Sequence, residues 1–178
     1  MFIIPRTKKE DATGELKLIY KIIERSLGFV PPHFELFATI DIDGMKKFME
    51  YNQKMMIHKN IDKNLLPFLR LYIAQKECRT YCIWLNTKFL TQMNVDKNII
   101  ENIQTQIENI PFDARQKTLL LKVLKAIDAP NNFSKDDLDE IYALNFSHKD
   151  FFDLLRYASD FISNSKIIEV YCQKSFQY

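Results

Sequence analysis

No stretch of this chain alternates apolar and polar residues with a period of two, and every apolar stripe in it repeats with the helical period. Leu16, Ile19, Tyr20, Ile23 and Leu27 set the pattern, falling at i, i+3, i+4, i+7 and i+11 on one helix face. Glycine points the same way. The 178 residues hold three, Gly14, Gly28 and Gly44, whereas hairpins and tight β-turns lean on glycine for their positive φ angles. The expected fold class is all-α, a bundle of about eight helices.

Residues 1–12 read as an extended N-terminal arm. Thr13 opens the first helix, and Gly28 sits just past its end, where a left-handed cap is favoured. Phe29-Val30-Pro31-Pro32 is a rigid turn, since proline fixes its own φ and restricts its predecessor. A short helix covers His33–Ala38, and Asp43 is positioned to cap the next, with Met45, Phe48, Met49, Met55 and Met56 along it. Methionines at this spacing are core filler, and His58 suits a helix C-terminus as a cation. Asp62 or Asn64 starts the following helix, with Pro67 in its first turn. Leu66, Leu69, Ile73 and Ala74 form its buried face, and the chain breaks near Gln75–Cys78. Thr80 is a candidate cap for a helix turning Trp84, Leu85, Phe89 and Leu90 inward. An isoleucine stripe from Ile99 to Ile110 ends at Pro111, and Asp113 opens the next helix. Two capping-box signatures follow, Ser134-x-x-Asp137 and Ser147-x-x-Asp150; the second leads a helix reaching toward Tyr171.

Hydrophobic residues make up 47% of the chain and charged ones 27%, the balance of an ordinary globular protein, here expected as a single domain over 1–178. The net charge of +2 is spread among interspersed Lys, Glu and Asp, without the basic patch of a nucleic-acid partner. No apolar run approaches the length of a membrane span, and Met1-Phe-Ile-Ile-Pro-Arg6 turns polar too soon for a secretory signal. Three cysteines do not make a disulfide framework, so a reducing cytoplasm is the expected compartment. His33, His58 and His148 include no i, i+4 pair, and neither a metal nor a cofactor is expected.

Chemistry concentrates in Ala74–Asn86, which holds Cys78, Cys82 and the only tryptophan, Trp84. A thiol acts as a nucleophile or redox centre only when its thiolate is populated, which requires a positive local field and access. Arg79 and a helix start near Thr80 offer that field. The alternative is that both thiols fill core space.

Taken together, these residues resemble the carboxymuconolactone decarboxylase and alkylhydroperoxidase D-like superfamily, and within it the peroxidase-related branch. Gly14-Glu15-Leu16, Tyr20 and Gly28-Phe29-Val30-Pro31-Pro32-His33-Phe34 match that branch's opening helix and "G-x-V-P-P" turn. Tyr81-Cys82 lies at the end of the family's C-x-x-C-x-x-x-H motif, and Phe133-Ser134, Leu144–Ser147, Phe161 and Asn164 look like its final two helices. The resemblance implies an alkylhydroperoxidase D-like helical bundle and a dithiol that reduces peroxides or passes electrons. It implies a proton relay of an upstream glutamate and the motif histidine, a thiol electron donor, and assembly as a homo-oligomer, a trimer or hexamer.

Carried over position by position, the motif is altered. Cys82 matches the second cysteine. The first falls on Arg79, with Cys78 one position early, so the spacing is C-x-x-x-C. The histidine falls on Asn86, which donates hydrogen bonds but is no base, and the glutamate falls near Pro67. Two readings stay open. In one, a peroxidase-like thiol enzyme uses Cys82 as the attacking thiolate, with Arg79 beside it, Asn86 orienting it and Cys78 resolving the sulfenic acid. In the other, a non-catalytic all-α oligomer binds a small apolar ligand or a protein partner, with some of its fourteen phenylalanines and eight tyrosines at a subunit interface. Lactone decarboxylation does not rest on the cysteines, but no histidine here sits in a motif that supports it. A Cys78–Cys82 bridge is feasible only if the helix begins after Cys78.

Overall fold

Caps and stripes place the helices. The computed structural model describes residues 2–172. Ten α-helices run through them: α1 Gly14–Leu27, α2 Pro32–Ile40, α3 Ile42–Met56, α4 Leu66–Lys76, α5 Thr80–Gln92, α6 Lys97–Glu101, α7 Ile103–Gln106, α8 Ala114–Asp128, α9 Lys135–Ala143 and α10 His148–Tyr171. Four 3-10 turns accompany them. The described residues contain no strand, only an isolated bridge between Phe2 and Cys172. Two compact units result, one of Met1–Gln53 with Val170–Tyr178 and one of Lys54–Glu169.

In the first unit the α1 stripe turns Tyr20 and Ile23 into a core with Ala12, Phe34 and Met45. Gly28 closes α1 in the left-handed region at φ 80°. His33 is buried, its ring 4.3 Å from that of Phe34 and edge-on to Phe37 and Phe48. The α3 cap is Asp41, not Asp43: Asp41 Oδ1 accepts from the Gly44 N–H at 2.9 Å, and Asp43 lies within the helix. A Cβ on Gly44 would stand 2.4 Å from Asp41 Oδ2, so a larger residue there requires the capping carboxylate to shift. The arm contains one 3-10 turn, Lys9–Asp11. It is tied down by Arg6 Nη1 and the Lys9 N–H donating to Glu35, and by the Tyr20 hydroxyl donating to the Thr7 carbonyl.

In the second unit α4 is apolar nearly all round, as a central helix must be. Seven of its eleven residues are buried, Pro67 among them in the first turn. Its largest contact is with α5, the next helix in the chain. Full burial of a side chain such as Leu69 or Leu71 stabilises by about 1.5–3 kcal/mol. Asp62 caps the 3-10 turn before α4, Asp113 caps α8, and Ser134 forms a complete capping box with Asp137. Ser147 and Asp150 make the equivalent reciprocal bonds at α10. The isoleucine stripe does not form one helix. Asn102, at φ −120° and ψ 33°, breaks it into α6 and α7, and Ile107–Asn109 tightens into a 3-10 turn. Ile100, Ile103, Ile107 and Ile110 still reach the core.

Candidate active site

Three helices in the second unit end the same way. After α5 the Asn94 N–H reaches the Thr91 carbonyl and Val95 reaches Leu90; after α9 Asn145 reaches Tyr142 and Phe146 reaches Ile141; after α4 Cys78 reaches Gln75 and Arg79 reaches Ala74. This is the Schellman pattern, which requires its penultimate residue to be left-handed. The three residues have φ of 56°, 59° and 53°. Asparagine tolerates that region. Cysteine has no such preference, yet Cys78 occupies it, with its thiol exposed.

The α4 cap also sets the start of α5. Arg79 occupies the N-cap position and Thr80 is the first helical residue, so Thr80 is not the cap. Its hydroxyl instead donates to Glu169 Oε1 at 2.8 Å. Cys78 therefore lies outside the helix and Cys82 within its first turn, the condition under which a C-x-x-x-C pair can be bridged. Cys82 is 2% exposed. The sulfur expected to attack is shut away from solvent, and the one expected to resolve is open.

Arg79 Nη2 donates to Glu77 Oε2 at 3.2 Å, so the charge nearest the turn is matched by a carboxylate. Asn86 is 1% exposed and its donor group is engaged, Nδ2 donating to the Cys82 carbonyl at 2.8 Å. Its Oδ1 accepts from Arg70 Nε at 2.7 Å, and Arg70 Nη1 donates to the buried Tyr157 hydroxyl of α10. Arg70 makes no ion pair with any described carboxylate. Motif matching passed over Arg70 and Tyr157. The one sequence signal for Arg70 was a lone cation within the otherwise apolar first two turns of α4.

A second polar cluster lies around an open cleft of about 470 Å³ lined by residues 56–63, Arg115 and Gln116. His58 Nδ1 accepts from the backbone N–H groups of Asn60 and Ile61 at 3.2 and 3.3 Å. Backbone nitrogen can only donate, so the ring proton sits on Nε2, which faces Asp153 at 3.3 Å and Asp150 at 3.6 Å. Gln116 and Arg115 both donate to the Asn60 carbonyl. Here His58 folds the loop that follows α3, beyond the helix's last residue, Met56. His148 lies apart from it, stacked on Tyr142. Among the described residues no group of three or more His, Cys, Asp or Glu is arranged to hold a metal ion, and no helix is long and apolar enough to cross a membrane.

No protein-family model matches the sequence, and no curated protein matches it. Solved structures do. An uncharacterized peroxidase-related protein from Silicibacter sp. TM1040 superposes with a TM-score of 0.74 at 18% identity, over 88% of this chain and 82% of that one. An alkylhydroperoxidase AhpD core structure, an uncharacterized peroxidase-related protein from Ralstonia eutropha JMP134, superposes with a TM-score of 0.76 at 15% identity, over 94% of this chain and 88% of that one. At these identities the likeness is one of fold.

Proposed function

We propose, from the alkylhydroperoxidase D-like fold that this chain adopts, that it is a thiol-dependent peroxide or disulfide reductase with an altered centre built on Cys78 and Cys82. The observation that carries this reading is Cys78 itself. An exposed cysteine holds a left-handed cap that the two matching caps give to asparagine, four residues before a buried second thiol. Strained conformations of this kind persist where a side chain has a task.

Exposure favours an order of events opposite to the one expected from the motif. The Cys78 thiolate attacks one peroxide oxygen, releasing the alcohol with one proton taken up and leaving a sulfenic acid. Cys82 then attacks that sulfur, expelling water and forming the Cys78–Cys82 disulfide. An external dithiol donor returns both sulfurs to the reduced state by exchange. With asparagine and proline at the two relay positions, no side-chain base removes the first proton, so turnover is slow at neutral pH. A homo-oligomer working in a reducing cytoplasm completes the reading.

The test is peroxide consumption with dithiothreitol as donor. Wild type turns over, Cys78→Ser is inactive, and Cys82→Ser accumulates a dimedone-reactive sulfenic acid on Cys78. Undiminished consumption by Cys78→Ser overturns the proposed order, and no difference among the three proteins overturns the reading. The burial of Cys82 and the two lost relay residues favour a second reading, a non-catalytic oligomer that keeps the fold for a small apolar ligand or a protein partner. Equal inactivity of all three proteins, together with oligomers in light scattering, selects it.

A further inference from the structure

We propose that the cleft lined by residues 56–63, Arg115 and Gln116 is a binding site for a small organic anion with a doubly charged head. The inference goes beyond the thiol reading. The cleft lies within the Lys54–Glu169 unit, and neither Cys78 nor Cys82 lines it.

Charge carries the argument. Lys59, Lys63 and Arg115 line the cleft against one carboxylate, Asp62, an excess of two positive charges. None of the three cations makes an ion pair among the described residues. Asp62 is itself engaged, its Oδ1 accepting from the Asn64 N–H at 2.8 Å. Asp150 and Asp153 face Nε2 of His58, and Asp113 caps α8; none of these lines the cleft.

Arg115 is held in one geometry, unlike a loose surface cation. Its guanidinium lies over the Phe146 ring, with Cζ 3.8 Å from the centroid. Nε donates to the Leu144 carbonyl at 2.9 Å, and Nη1 and Nη2 donate to the Asn60 and Asn145 carbonyls at 3.4 Å. These acceptors are neutral, so they fix the fork without cancelling its charge. A guanidinium carries more N–H groups than these bonds use. One on each terminal nitrogen is left over, and such a fork suits a carboxylate or a phosphate.

The loop wall is also built in advance. His58 Nδ1 holds the Asn60 and Ile61 amides, while Gln116 accepts from the Asp62 N–H and donates to the Asn60 carbonyl. A wall that needs no ordering loses less of its binding energy. The volume of about 470 Å³ falls among small-molecule sites, roughly 300–1,000 Å³, and exceeds what a bare inorganic anion fills. Exposed Met56 and Ile57 supply apolar surface for the rest of the ligand. A phosphate monoester and a dicarboxylate share this chemistry.

The test is a ¹H–¹⁵N titration of the full chain with phenyl phosphate, succinate and acetate at about pH 7.5, where the monoester is largely a dianion. Phenyl phosphate or succinate saturates at millimolar concentration and shifts the amides of residues 56–63, Arg115 and Gln116. The tighter of the two identifies the head group. The Arg115 Nε–H resonance moves with them. Acetate, with a single charge, binds about fivefold more weakly or worse. Removing both exposed lysines in the variant Lys59→Gln, Lys63→Gln weakens the dianion about fivefold. Shifts that do not saturate or that centre elsewhere overturn the proposal, as does equal binding of acetate or an unchanged affinity in the lysine variant. The titration uses neither peroxide nor a thiol reagent, so its failure is separable from failure of the reductase reading.

Discussion

Arg70 on α4 donates through Nε to Oδ1 of Asn86 on α5 at 2.7 Å. Asn86 Oδ1 is therefore a fixed acceptor tied to a cation. Removing that acceptor strands a half-buried guanidinium nitrogen. Asn86→Ala is expected to cost about 1–3 kcal/mol in urea unfolding, the penalty for a buried group left unsatisfied. A loss under about 0.5 kcal/mol, within the range of surface substitutions, would show that the network bears no weight.

The Cys78 cap predicts a trade between stability and chemistry. A left-handed residue other than glycine or asparagine is strained by about 1–2 kcal/mol, part of which glycine returns through its larger unfolded-state entropy. Cys78→Gly and Cys78→Asn should both raise the urea midpoint while removing the exposed thiol. Two destabilised variants would mean that the Cys78 side chain makes contacts worth more than the strain.

Acid stability should be dominated by two aspartates. Lys122 and Lys125, with the Ser134 N–H, hold the Asp137 carboxyl well below the usual range. Burial pushes Asp150 up, but the Ser147 hydroxyl and N–H, Asn60 and His58 outweigh it and leave the carboxyl lowered. The unfolded chain takes up these protons near the ordinary aspartate value, the folded chain only at lower pH. Their stabilisation is therefore complete above that value and is lost as pH falls through the folded ones. Glu35 has the opposite sign, since burial raises its carboxyl against Arg6 and the Lys9 N–H. Its effect favours folding below the raised value and fades as pH rises through it. Urea unfolding should find Asp137→Asn clearly weaker than wild type at about pH 7, with the gap narrowing toward about pH 2.5. A gap independent of pH would refute the ionic account of this cap.

His58 offers a local test of loop architecture. Its Nδ1 holds the Asn60 and Ile61 amides, and Ile61 is buried. In His58→Ala those amides should exchange with solvent faster, at a cost of about 1–3 kcal/mol for groups left unsatisfied. Unchanged exchange at both would mean that the loop 57–62 keeps its conformation without the imidazole.

The chain's own order of residues determined the helices, most of their ends and the fold class. Stripes, the αL glycine at Gly28 and the caps at Asp62, Asp113, Ser134 and Ser147 act within four or five residues, so they are legible without knowing what lies across the core. The misses in that reading were also local. Asp41 out-competes Asp43 because its carboxylate reaches the Gly44 N–H, and Asn102 interrupts a periodic stripe that periodicity alone would join. The character of the thiol site was not legible. Cys78 and Cys82 look alike in sequence, and only the break after α4 exposes one while α5 buries the other. Arg79 stands beside Cys78 and Cys82 in the sequence, but a cation counts only after its counter-ions are known. Glu77 cancels it, while Arg70 is brought to Asn86 and Tyr157 from 16 and 87 residues away, with no carboxylate among the described residues paired to it. Burial and uncompensated charge are properties of what surrounds a group, and only the packing of distant segments supplies those surroundings.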